Sequence, residues 1–232
     1  SPKVPVFSSG STYTPGDMKF VDVNGDGVID DSDRTFIGNP NPDFYYGFNI
    51  NMEYKGFDLS MFFQGVAGNE IYDVTKYFRY SNVAYNGVWE NLNYLSYSNV
   101  AKDYFDKVWR PVPDPANPSY RDHWGANLNG TVPLPSSDGT KNEMNFRNSD
   151  FYIQDGSYLR LKNIQLGYTF PKKWVNKLSV SNLRVYASAT NLFTITSYDG
   201  LDPEVGKTSG QESNNLYLGI DQGVYPQARS YM

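Results

Sequence analysis

The chain has 232 residues, a net charge of −5 and no cysteine. That balance excludes a nucleic-acid binder, which needs clustered Lys and Arg, and it excludes a disulfide scaffold, a thiolate metal site and a cysteine nucleophile. Aromatic residues reach 16 %, with 20 Tyr and 14 Phe, although mean hydropathy is only −0.57, a mix that suits strands with one apolar side joined by long polar loops.

Residues 1–16 are rich in Pro, Ser and Gly and carry no periodicity, so they read as the end of a loop. No apolar run approaches the ~18 residues of a spanning helix. With no basic-then-apolar leader at Ser1, the sequence reads as either a cytosolic chain or a piece of something longer, and the piece is the expectation.

The sharpest local motif follows at 22–33. Asp22, Asn24 and Asp26 stand at positions 1, 3 and 5 of the twelve-residue calcium-loop template, with Gly27 at 6 and acids at Asp30 and Asp33. A hard cation wants six to eight oxygens, and this spacing aims three short oxygen side chains at one centre while Gly27 allows the sharp bend. Val28 would offer its carbonyl, Asp30 would reach through water and Asp33 would close the site. Asp at the closing position resembles dockerin-type loops and shortens the reach. The competing expectation is an Asp/Asn/Gly turn with no ion; with one loop and weak helical flanks, a bound calcium would be structural.

From Phe44 the chain alternates. Phe44, Tyr46, Phe48, Ile50, Met52 and Tyr54 share one parity, and Tyr45, Gly47, Asn49, Asn51 and Glu53 the other. After Lys55-Gly56 the pattern restarts with Phe57, Leu59, Met61 and Phe63, against Asp58, Ser60 and Gln64, with Phe62 as the exception. Side chains alternate across a strand, so this is a hairpin with one apolar and one polar face. Each arm nears the roughly 9–11 residues that cross a bilayer as a tilted strand. A soluble sandwich alternates just as cleanly.

Residues 66–150 show no clear strand. Helical stripes are expected at Ile71, Val74, Tyr77 and Phe78 and at Ala101, Tyr104, Phe105 and Val108. Trp89, Trp109 and Trp124 are candidates to stack on sugar rings, although packing within the loop is the commoner role for such residues. His123, the single histidine, has no partner motif. No paired-carboxylate signature, Ser-His-Asp set or phosphate loop is legible, so an enzyme is not expected.

A third strand is expected at Tyr158–Phe170, with Ile164, Leu166, Tyr168 and Phe170 on one face. Leu159 and Leu161 fall on the opposite parity, which would put Arg160 and Lys162 among the apolar residues. Either a bulge restores the register or that end rises clear of the hydrocarbon. Trp174, after Pro171, stands where an interfacial aromatic girdle would lie. Leu183–Thr196 reads as a fourth strand, a polar loop runs from Ser197 to about Tyr225, and Arg229 begins another strand. Every connection on one side of this array is short and every one on the other is long, as on the two sides of an outer-membrane barrel.

The ordered runs Pro15–Asp30, Arg34–Asp43, Tyr54–Gly65, Asp155–Ile164 with Leu166-Gly-Tyr168, Ala189–Thr194, Tyr198–Glu204 and Tyr225–Gln227 together resemble the C-terminal barrel segment of SusC/RagA-type TonB-dependent outer-membrane receptors of Bacteroidetes. The resemblance implies an all-β chain. Residues 1–232 would supply the last antiparallel strands of one transmembrane barrel of about 22 strands, with a long extracellular loop at about 66–150 and without the plug and N-terminal strands. It implies a bacterial outer-membrane importer of oligosaccharides or peptides that works with a SusD-like lipoprotein and is driven by TonB. The alternative is a secreted, calcium-stabilised carbohydrate-binding β-sandwich.

Overall fold

The computed structural model describes residues 5–7, 13–80, 101–116, 125–133, 145, 147–178, 180–205 and 218–232. Among them the strands are β1 (Val6–Phe7), β2 (Val28–Ile29), β3 (Phe44–Tyr54), β4 (Phe57–Ala67), β5 (Glu70–Asp73), β6 (Ile153–Asp155), β7 (Tyr158–Thr169), β8 (Arg184–Thr190), β9 (Thr194–Thr196), β10 (Ile220–Asp221) and β11 (Ser230–Tyr231). They fall into two compact units, Gly38–Val74 with Ile153–Met232, and Ser1–Ile37 with Thr75–Tyr152.

The first unit is dominated by an antiparallel sheet in the order β11-β8-β7-β4-β3, with β9 also paired to β7. Lys55 and Gly56 both take positive φ (48° and 90°) at the β3–β4 turn, the condition for a two-residue hairpin whose twist matches its strands. The β3–β4 register keeps parity throughout, from Phe44 opposite Ala67 to Tyr54 opposite Phe57. Between β4 and β7 it slips once. Phe62 faces Asn163 but Phe63 faces Leu161, leaving Lys162 as the extra residue of a bulge.

That bulge settles the parity conflict in the sequence. Beyond it Leu161 and Leu159 join Ile164, Leu166 and Tyr168 opposite the apolar residues of β4, while Arg160 moves to the polar row opposite Gln64. The expected fourth strand is broken at the same height. Asn191 (φ 51°) turns the chain out of β8, and β9 then resumes against Tyr158–Arg160. The Asn191 and Leu192 N–H groups donate to the Lys162 and Leu161 carbonyls, and the Leu161 N–H donates to Phe193, so the two irregular segments satisfy each other.

One face of the sheet is thus apolar in every strand, with Val185, Ala187 and Ala189 of β8, Ile195 of β9 and Tyr231 of β11 completing it. A sandwich would bury this row under a second sheet. Among the described residues most of it stays open, with Phe44 58 %, Phe48 43 %, Leu166 50 %, Val185 58 % and Ile195 61 % exposed, while Leu161 and Ala189, beside the bulge, are buried. The sandwich alternative does not fit that exposure.

A small second sheet, in the order β10-β5-β6, continues this unit, with β10 parallel to β5. Here the sequence expectation needs correction. Ile71 lies within β5, fully buried, and the helix that follows spans Val74–Tyr80. The i, i+3 spacing from Ile71 to Val74 therefore joins a strand to a helix.

The other unit has two small cores. Tyr80, Tyr104, Val108 and Val132 form one, with Ala101 and Phe151 packed against it. This confirms the inner side of the second stripe, while Phe105 remains 45 % exposed. Lys107 bridges Asp103 and the Tyr80 hydroxyl (2.5 and 3.0 Å), and Asp103 followed by Tyr80 raises its ammonium pKa further above the usual lysine range. Phe7 and Ile29 form the second core with Tyr13 and Phe20, across the parallel β1–β2 pair. Residues 6–7, expected as loop, thus carry one of the most buried side chains.

Candidate functional site

The polar face of the sheet is the candidate site. Asn49, Asn51 and Glu53 of β3 and Asp58, Ser60 and Gln64 of β4 share it with Asn163 and Gln165 of β7 and Ser188 and Thr190 of β8. These side chains offer donors and acceptors without a dominant charge. Three aromatic residues interrupt them. Tyr45 is 74 % exposed, Tyr186 46 % and Phe62 36 %, and the Phe62 ring lies over Gly47, where a Cβ would come within 3.5 Å of it. The break in alternation at Phe62 was visible in the sequence, but its meaning, a flat apolar surface on the polar side, was not.

Two groups of charged side chains bracket this face. Near one end Arg160, 2 % exposed, donates to Thr194 Oγ1 (2.8 Å), Asp202 Oδ1 (2.5 Å) and Glu204 Oε2 (2.8 Å). Lys162, the bulge residue, donates to the same Glu204 at 2.8 Å. Asp202 also accepts the N–H groups of Glu204 and Gln227, both at 2.9 Å. Burial alone would push the Asp202 carboxyl up, but the Gln227 N–H, Arg160 and the Glu204 N–H together hold it below the usual carboxylate range. The cluster therefore joins β7 and β9 to the loop at 197–205 and to the approach of β11.

At the other end Arg184 of β8 pairs with Asp58 of β4 through Nε (3.1 Å) and Nη2 (2.5 Å). The pair spans the intervening strand because that strand has Gly167 there. A Cβ at Gly167 would sit 2.5 Å from Arg184 and 2.6 Å from Asp58. The apolar face uses the same device. Tyr46 donates its hydroxyl across Gly65 to the Tyr158 carbonyl at 2.9 Å, and a Gly65 Cβ would lie 2.6 Å from that hydroxyl.

Loop 197–225 has a buried anchor as well. Asp221, fully buried, accepts from the Tyr198 hydroxyl (2.6 Å) and from the N–H groups of Gly223 and Val224. Its β5 neighbour Asp73 accepts from Gln154 at 2.8 Å.

The 22–33 loop is folded on its own backbone. Asp22 accepts the Gly25 and Gly27 N–H groups (2.6 and 2.8 Å), Asn24 that of Asp26 (2.8 Å) and Asp26 that of Val28 (2.8 Å). Asp33 accepts from Val23 and Asp30, and Asp30 accepts from Ser32. Those backbone bonds, the Asp30 N–H first, hold the Asp33 carboxyl low. Among the described residues no three acidic or histidine side chains converge as a ligand set. Val28 lies opposite Val6 in the β1–β2 pair, and Ile29 is buried.

Of the tryptophan candidates, Trp89 and Trp124 lie outside the described residues, as does His123. Trp109 is half-buried, its ring held against Gly16 (φ 94°), where a Cβ would come within 2.3 Å.

No family model matches the chain. It is 33 % identical over 220 residues to the TonB-dependent receptor P3 of Formosa agariphila, a match covering 94 % of this chain and 18 % of that protein. The TonB-dependent receptor SusC of Bacteroides thetaiotaomicron is 29 % identical over 219 residues, 94 % of this chain and 17 % of its own length. The chain thus spans less than a fifth of the length of these relatives. Among solved structures it resembles the RagAB peptide importer in its closed-closed state, with a TM-score of 0.57 and 21 % identity over 84 % of this chain and 17 % of that one. The open-open state gives 0.52 at 22 % identity, covering 82 % and 16 %. Both likenesses speak for the fold.

Proposed function

The chain belongs to the SusC/RagA-type TonB-dependent receptors, and from that premise we propose that it forms part of the wall of an outer-membrane importer of oligosaccharides or peptides. The apolar row faces lipid, and the polar face lines the lumen. Tyr45, Phe62 and Tyr186 offer flat surfaces to sugar rings or apolar side chains along the path. A SusD-like lipoprotein closes the outer mouth, and TonB supplies the work through parts of the receptor outside this sequence.

The observation that supports this best is the continuity of the open apolar row from β3 to β11, restored by the Lys162 bulge. It yields a test in the intact receptor. Phe48→Arg or Ile50→Arg puts a cation into hydrocarbon at a cost of about 2–4 kcal/mol near mid-membrane. Asn49→Arg puts the same charge into the lumen. The first two should abolish the faster-migrating folded band on an unboiled gel, and the third should keep it. Equal tolerance at all three positions would contradict the facing.

For the 22–33 loop we keep calcium as a proposal. A carboxylate oxygen that accepts one N–H retains a second lone pair, so Asp22, Asp26 and Asp33 can hold the turn and still turn toward a cation. Calorimetry on the receptor decides it. Calcium heat that disappears in Asp22→Ala/Asp26→Ala supports the site, and no heat in the parent leaves a self-capped turn.

A further inference from the structure

The short-turn rim of the sheet combines an aromatic run with unneutralised lysines. On the apolar row the rings of Phe57, Tyr168, Phe170 and Trp174 follow one another, with successive centroids 4.5, 4.9 and 6.5 Å apart. Trp174 is 59 % exposed, and Tyr54, at the end of β3, 69 %. Beside them Lys55, Lys172, Lys173 and Lys177 are all exposed. The ion pairs recorded among the described residues include none of these four.

The rim is built, not a chance gathering of side chains. The Thr169 N–H donates to the Gly56 carbonyl at 2.8 Å, the Phe170 N–H to Leu183 at 2.9 Å and the Trp174 N–H to Pro171 at 2.9 Å. The Lys55-Gly56 turn therefore lies against the segment that carries Lys172, Lys173 and Trp174. Gly56 is required for that fit, since a Cβ there would come within 2.8 Å of the Thr169 carbonyl. Lys55 itself sits 5.1 Å from the Tyr54 ring. The nearby carboxylates, Glu53 and Asp58, belong to the polar face, and Asp58 is engaged by Arg184.

We propose that this rim holds an anionic phospholipid of the inner, periplasm-facing leaflet, with Lys55, Lys172 and Lys173 around the headgroup phosphate and the aromatic run along the upper acyl chains. Amphipathic rings settle at headgroup depth, and an unpaired lysine there gains from a negative lipid surface. Charge complementarity selects the occupant. The chain is acidic overall, with a net charge of −5, yet the exposed charged side chains of this rim, Glu53 of the polar face apart, are lysines. Free phosphate would use the lysines and ignore the rings, whereas a lipid uses both. The inference rests on the membrane-wall reading above.

The test uses the intact receptor in mild detergent, with native mass spectrometry after addition of phosphatidylglycerol or of zwitterionic phosphatidylcholine. Preferential retention of phosphatidylglycerol is expected, weakening as salt is raised. Lys55→Gln/Lys172→Gln/Lys173→Gln should reduce that preference on the order of 100-fold, about five-fold per lysine. Trp174→Ala should weaken retention of both lipids. Equal retention of the two lipids by the parent, or an undiminished preference in the triple variant, would overturn the proposal. Competition by glycerol phosphate as effective as that by the lipid would also overturn it, in favour of a simple anion site. The unboiled gel separates the two levels. A parent that shows the folded band but no lipid preference refutes only this inference, whereas a parent without that band removes the membrane wall on which it stands.

Discussion

Arg160 divides its donors among Thr194, Asp202 and Glu204, and it does so almost wholly out of water. Removing one partner of such a group leaves a buried charge uncompensated, which costs about 3–5 kcal/mol. Arg160→Met should therefore lower the temperature at which the folded band of the receptor is lost, and expose the 197–227 stretch to protease at temperatures where the parent resists. Resistance equal to the parent's would remove the anchor role. Asp202 adds a pH dependence of definite sign. Its folded pKa lies below its unfolded value of 3.8, so its stabilisation is complete above that value and disappears as pH falls through the folded one. Asp202→Asn should be less stable at neutral pH and show a shallower loss of protection as pH falls below 3.8. An unchanged acid limb would mean that Asp202 does not carry it.

At the scale of elements, period-two alternation made β3, β4 and most of β7 legible, because parity alone decides which side chain faces which way. It could not resolve Leu159–Lys162, because a parity break says that the register slips or the environment changes without saying which. The β4–β7 ladder answers with a one-residue slip at Lys162. Deleting Lys162 should close the β4–β7 ladder without a slip, keep Leu159 and Leu161 on the apolar row and Arg160 on the polar row, and so preserve the folded band, whereas Lys162→Gln, which keeps the bulge and loses only its bond to Glu204, should cost about 1 kcal/mol. A deletion variant that fails to fold would show that the bulge itself, through its backbone bonds to Asn191 and Leu192, is required. The two-residue β1–β2 pair was out of reach of any pattern, and Ile71 was misplaced because a four-residue strand running straight into a helix leaves an accidental helical spacing.

Across the whole molecule, what the sequence left dark was mostly pairing between distant residues. Arg160 and Asp202 stand 42 positions apart, and Asp58 and Arg184 stand 126 apart. Each belongs to a run that also marks the family or the strand pattern, yet nothing local says that the members meet. The glycines at 65 and 167 were equally mute, since a missing side chain matters only once it is known what crosses above it. Gly65→Ala should push Tyr46 from the Tyr158 carbonyl and cost about 1–2 kcal/mol, read as a drop in the melting temperature of the folded band.

The sheet stops at β3 on one side and at β11 on the other. The outer flank of β3, an eleven-residue strand, therefore presents the open backbone donors and acceptors of every second residue. Made without the neighbouring strands of its barrel, this stretch has a ready template for copies of itself, and the two flanks differ, so each addition leaves a fresh end. Such a preparation should grow ribbons whose light scattering climbs steeply with concentration, and a short β-strand peptide complementary to β3 should cap the growth.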